Sequence, residues 1–198
     1  MGDIILASGS RHRADILDKC GITFSQIPST LDERAIEAPL AQSDVLPEDR
    51  AEILAEAKAV DLSEQHTGSY VIGCDQILSI EGEVLHKIDD MEKARRRLLQ
   101  LSGRKHILHS AAVIVRDGQT LWRHVEPCTM VMRHLTPEFI GRHLADTGDA
   151  ILSSVGAYQI EGRGAQLFEK IEGDVFSIMG LPLLPLLAAL RSHGAIDG

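Results

Sequence analysis

Four stretches of this chain carry residue types that could do chemistry. In the first, Leu6-Ala7-Ser8-Gly9-Ser10-Arg11-His12-Arg13, an apolar run passes through small residues into a helix start bearing two arginines. Free N–H groups at a helix N-terminus favour anions. Ser8 and Ser10 would add hydroxyl donors, and Arg13 a planar fork suited to phosphate oxygens. A plain capped strand-to-helix turn with solvated arginines accounts for the same residues. In the second stretch, Val71-Ile72-Gly73-Cys74-Asp75-Gln76-Ile77-Leu78, a carboxylate stands in the middle of an apolar strand. Asp75 is either a hydrogen-bonded structural group or one that binds a divalent cation or takes a proton from water.

The third stretch is Leu85-His86-Lys87-Ile88-Asp89, where the Lys87 ammonium follows a hairpin and precedes a helix; it could reach a phosphate or simply be solvated. The fourth runs from Gly156-Ala157-Tyr158-Gln159-Ile160-Glu161-Gly162 to Gly180-Leu181-Pro182-Leu183. Glycines punctuating strands mark close backbone approach, and Glu161 either reads a base edge or is an exposed residue of tight β-structure. Other patterns fail. His106 and His109 resemble HxxH, but on a strand that spacing sends them to opposite faces. The sequence holds no HExxH, GxSxG, GxGxxG or Walker A loop.

These residues need elements to hold them. Ile4–Ala7 reads as a buried strand, residues 11–20 as a helix stopped by Gly21, and residues 22–27 as a second strand. Residues 28–46, rich in Pro, Ser, Asp and Glu, read as a loop. Pro47 opens a helix to about Leu62, with Ile53, Leu54, Ala57 and Val60 on its apolar face. Residues 70–80 and 83–85 form a hairpin around Glu81-Gly82. Asp89 and Glu92 suggest a capping box for a helix through Leu101, ended by Gly103. Strands at 105–116 and 119–132 join at Asp117-Gly118, a strong hairpin cue. Thr136 and Pro137 open a helix. Strands are expected at 158–161, 166–171 and 175–179, and a last helix at 183–192. The pattern implies a mixed α/β, or α+β, fold with an extended sheet.

Composition is that of one globular domain spanning residues 1–198, with 44% hydrophobic and 25% charged residues. A net charge of −9 disfavours duplex nucleic acid as a partner but permits a small anion held in a local pocket, with metal ions bridging the charge. Cys20, Cys74 and Cys128 form neither a disulfide framework nor a zinc pattern. No run is long and apolar enough for a signal peptide or a membrane span, so the expected setting is the cytoplasm.

Taken together, the four stretches resemble the Maf family, the septum-formation-like nucleotide pyrophosphatases. Residues 6–13 are similar to its LAS-x-SPRR opening, Asp32-Glu33 to its acidic pair, Lys58 to its helical lysine and Gly73-Cys74-Asp75-Gln76 to its G-x-D-[TQ] strand. Lys87 matches the lysine of its GKP motif, residues 101–106 match LSG-x-x-H, and residues 158–162 and 180–182 match its C-terminal signatures. Two departures stand out: Arg11-His12 replaces Pro-Arg, and His86-Lys87-Ile88 replaces Gly-Lys-Pro.

The resemblance implies a fold of the Maf and ITPase type, with two lobes around a central cleft. It implies a house-cleaning hydrolase of nucleotide metabolism that cuts a nucleoside triphosphate into monophosphate and diphosphate. Asp75, Glu33, Lys58 and Lys87 would be catalytic, and Ser8, Ser10, His12, Arg13, Gln76, Gln159 and Glu161 would bind substrate. Glu33 and Asp75 would hold Mg²⁺ or Mn²⁺, and a homodimer is expected. Gln76 and Glu161 are similar to the branch that favours 7-methyl-GTP, with His12 in place of its tryptophan. Two rivals are a non-catalytic nucleotide-binding regulator of cell division and a protein-interaction module using the apolar C-terminal helix.

Overall fold

The apolar run Tyr70–Ile80 forms the strand around which the rest is arranged; ten of its eleven residues are buried, as expected for a strand covered on both faces. The computed structural model describes residues 2–41 and 43–197. In chain order the elements are β1 (Ile4–Ala7), α1 (Arg11–Lys19), β2 (Ser25–Gln26), α2 (Glu33–Ala41), α3 (Pro47–Ser63), β3 (Tyr70–Ile80), β4 (Glu83–Leu85), α4 (Met91–Leu101), β5 (Lys105–Arg116), β6 (Gln119–Met132) and α5 (Pro137–Thr147). Two 3₁₀ segments, Gly148–Ser153 and Arg163–Leu167, lead to β7 (Phe168–Glu172), α6 (Val175–Ile178) and α7 (Leu183–Ser192).

Among the described residues seven strands make one mixed sheet in the order β2-β1-β3-β5-β6-β7, with β4 also on β3. β1 runs parallel to β2 and β3; the other pairings are antiparallel. The β5–β6 hairpin turns at Asp117 and Gly118, both at positive φ (50° and 73°), the conformation that makes Asp-Gly a turn signal.

One sheet face is covered by α3, whose Ala51, Leu54, Ala55, Ala59 and Leu62 pack on Val71, Ile77, Ala111, Val113 and Val115. Gly73 permits this close fit: a Cβ there would run into the Ala55 carbonyl and the Ala59 methyl. The opposite face carries two cores. In one, α1 and α7 cover Ile72, Cys74, Ala112 and Ile114. In the other, α4, α5 and the 3₁₀ segments cover Leu78, Ile80, Leu108 and Met130. Among the described residues no helix is long and apolar enough to cross a membrane.

Several sequence expectations are corrected. The second strand shrinks from 22–27 to Ser25–Gln26. Residues 28–46 are not all loop: α2 forms there because Asp32 Oδ1 accepts from the Arg34 and Ala35 amides, despite Pro39 within the helix. On α3 the buried stripe is that of Ala51, Leu54, Lys58 and Leu62, and Ile53 is exposed. Asp90, not Asp89, caps α4, accepting from the Lys93 amide at 2.7 Å. Residues 158–161 form an irregular turn, β7 begins at Phe168 rather than Gln166, and residues 175–178 are a helical turn capped by Asp174. In both misread segments side-chain hydrogen bonds to the backbone outweigh β-propensity.

Candidate active site

β1 pairs with β3 only as far as Gly73, and β4 takes up the same edge from Leu78. Residues 74–77 therefore have β5 on one side and, among the described residues, no strand on the other. A cleft of about 1340 Å³ opens at this gap. Ser8, Ser10, His12, Arg13, Glu33, Lys58, Asp75, Gln76, Lys87, Gln159 and Glu161 all line it, so every site residue singled out from the sequence lies on one surface.

Arg13 fills part of the gap. Its Nη1 donates to the Cys74 carbonyl and to Ser8 Oγ, each at 3.0 Å, and its Nε donates to the Gly180 carbonyl at 2.7 Å. The guanidinium thus braces three segments, and among the described residues only Nη2 is left for an anion. Ser10 acts as the N-cap of α1, its Oγ accepting from the Arg13 amide. Gln26 Nε2 donates to the Ser8 carbonyl at 2.8 Å and fixes the small-residue turn from the β2 side.

Asp75 and Gln76 are consecutive on β3 and so point to opposite faces. On the α3 face, Lys58 Nζ lies 2.7 Å from Asp75 Oδ1 and 3.1 Å from Glu33 Oε2. Lys58 is only 8% exposed, held against the sheet by the approach that Gly73 allows. The acidic pair therefore divides: Asp32 caps α2, while Glu33 reaches the lysine. Among the described residues no protein atom bonds Asp75 Oδ2.

On the other face, Gln76 Nε2 is taken up by Ser110 Oγ (2.8 Å) and by the Ser177 and Ile178 carbonyls. Its amide oxygen remains as an acceptor on the cleft wall. His12, from α1, spans to the turn at 158–162: its Nδ1 lies 3.2 Å from Glu161 Oε1 and its Nε2 3.4 Å from Gln159 Nε2. Lys87 stands exposed on the segment between β4 and α4.

The turn carrying Gln159 and Glu161 is anchored by Tyr158, whose hydroxyl lies 2.8 Å from His106 Nε2 of β5 and whose ring meets Phe168 edge-on. Burial pushes the His106 imidazole down to about 4 and raises the Tyr158 phenol, so both are neutral near pH 7. Cys74, buried beneath Arg13, is pushed up to about 11 and is no nucleophile. Sequence reading named His106 within a motif but missed its partner, since nothing in the chain order links 106 to 158. It also missed Arg34, Glu37 and Asp149, which line the cleft as well. The wall as a whole carries five Lys or Arg against six Asp or Glu, an environment that does not neutralise a polyanion by itself.

A family model described as Maf-like protein matches residues 3–193. Among curated proteins, the chain is 63% identical to a 7-methyl-GTP pyrophosphatase of Mesorhizobium japonicum and 58% identical to one of Brucella abortus, over 98% of each chain in both cases. It is 45% identical over the full length of both chains to a nucleoside triphosphate pyrophosphatase of Maricaulis maris.

Proposed function

The chain belongs to the family of Maf-like proteins, and from that premise we propose that it is a nucleoside triphosphate pyrophosphatase acting on 7-methyl-GTP. The relatives' activities support the reaction class, and one local observation carries the reading: a carboxylate from the middle of β3 shares a buried lysine with a second carboxylate at the edge of a cleft of about 1340 Å³.

The reaction is attack of a water oxygen on the α-phosphorus, with rupture of the bond from that phosphorus to the bridging oxygen. Diphosphate leaves, and the nucleoside monophosphate retains the new oxygen. Asp75 Oδ2 takes the proton of the attacking water. Lys58 orients Asp75 through Oδ1, and Lys87, Ser8 and Nη2 of Arg13 bind phosphate oxygens. The triphosphate brings about four negative charges to a wall that is itself slightly acidic. Glu33 and Asp75 fit a divalent cation of the Mg²⁺ type, which takes one or two carboxylates and completes its shell with phosphates and water. Such an ion, when bound, supplies the charge neutralisation that the wall lacks. Among the described residues no group of three or more His, Cys, Asp or Glu side chains is placed to hold a metal ion.

At the other end, Glu161 is suited to a base that carries positive charge, as a 7-methylated guanine does. The His12 ring would leave Glu161 and stack on the base. The test is a panel of ordinary and methylated triphosphates with Mg²⁺ or Mn²⁺, scoring diphosphate and monophosphate release. Turnover fastest with 7-methyl-GTP is expected. Nucleotide binding without turnover would favour the non-catalytic regulator instead.

A further inference from the structure

Arg95, Arg96 and Arg97 are consecutive on α4, yet they are used differently. Arg95 and Arg96 are exposed, and Arg96 Nε pairs with Glu92 at 3.2 Å on the helix surface. Arg97 turns inward and is half-buried. Among the described residues no carboxylate lies within 4.0 Å of it. Its Nη2 donates to the His86 carbonyl at 2.8 Å and its Nη1 to the Val155 carbonyl at 2.6 Å. Burial lowers its pKa, and the two bonds offset part of the cost of taking the guanidinium out of water. The two acceptors belong to the two irregular walls of the cleft: His86 precedes Lys87, and Val155 precedes the turn bearing Gln159 and Glu161.

We propose that Arg97 is a positioning residue: one planar guanidinium ties the Lys87 segment to the Gln159–Glu161 turn and so sets the span between the phosphate end and the base end of the cleft. A single rigid fork suits this task, since its two N–H groups have a fixed separation that an ammonium lacks. Arg97 is not among the residues that line the cleft. The idea rests on the pyrophosphatase reading for its kinetic consequences, not for the tie itself.

The test begins with amide hydrogen exchange on the full chain. In Arg97→Met, exchange should quicken by about tenfold or more in both 86–89 and 153–160, with β3 and β5 unchanged. Arg97→Lys should fall between, and serves in its place if the methionine variant does not fold. Kinetically, Arg97→Met should raise KM more than it lowers kcat. Adding Lys87→Ala or Glu161→Gln to it should cost less than adding either to the native enzyme, because each side chain has already lost its place. Unchanged exchange in either segment, or strict additivity with either second substitution, overturns the proposal. If native protein turns over no triphosphate, the pyrophosphatase reading fails, while the exchange result still decides whether Arg97 makes the tie.

Discussion

The two ends of the cleft are built differently. The end proposed for the phosphates rests mostly on regular elements: Ser8 and Arg13 at the β1–α1 junction, Lys58 on α3 and Asp75 on β3, with Lys87 on the irregular segment between β4 and α4. The end proposed for the base rests on the turn at 154–162 between two 3₁₀ segments, pinned to the sheet by the His106–Tyr158 bond. At the first end, charged groups keep unspent capacity, as Asp75 Oδ2 shows. At the second, Gln76 Nε2 and Tyr158 have theirs filled by protein. Reaction chemistry needs side chains fixed by packed strands and helices, whereas base selection can be carried by a segment that sequence change can reshape.

The contrast can be broken at several points. The largest effect is expected at Asp75→Asn, which should lower diphosphate release by ~10²-fold or more while circular dichroism stays native. Near-native turnover would remove Asp75 from the chemistry.

Next is acid. His106 titrates at about 4 in the fold against an ordinary 6.5, so between those values the unfolded chain binds more protons than the native one. Its contribution to stability is complete above pH 6.5 and is lost as pH falls toward 4, on the order of 3 kcal/mol. His109 and His143 are also lowered by burial and act in the same direction. His106→Gln should therefore flatten, not abolish, the fall in unfolding free energy measured by denaturant titration from pH 7 to pH 4.5. An unchanged slope would show that this imidazole does not anchor the base end as described.

A smaller loss is expected from Gly73→Ala, whose methyl meets the Ala55 carbonyl of α3. About 2 kcal/mol of overpacking should lower the melting temperature by roughly 4–8 °C. Turnover should fall as well, since Lys58 rides on the displaced helix. The smallest change is expected at Glu161→Gln: the ratio of kcat/KM for 7-methyl-GTP over UTP should drop about tenfold with the preferred turnover little altered. A constant ratio would detach base choice from this turn.

The same contrast explains what could be read from the chain. Strands β1, β3, β5 and β6 and helices α3, α5 and α7 follow from apolar periodicity, Pro47, Thr136-Pro137 and Asp117-Gly118, which are local signals. Asp75 stands out because a carboxylate in an apolar strand is a local anomaly. Helix α2 was obscured because Pro39 and the surrounding polar residues resemble a loop, while the capping by Asp32 is visible only once the backbone turns. The turn at 158–162 reads as a strand because Tyr158 and Ile160 alternate with polar residues. Its real partners, His106 at 52 positions' distance and Arg97 at 58 from Val155, are contacts that no window of sequence contains.

Strands β3 and β5 run unbroken beneath both cores on their shared face. With a common spine, a swing of one core against the other requires both strands to bend. If the spine stays straight when nucleotide binds, solution scattering should record almost the same radius of gyration with and without it.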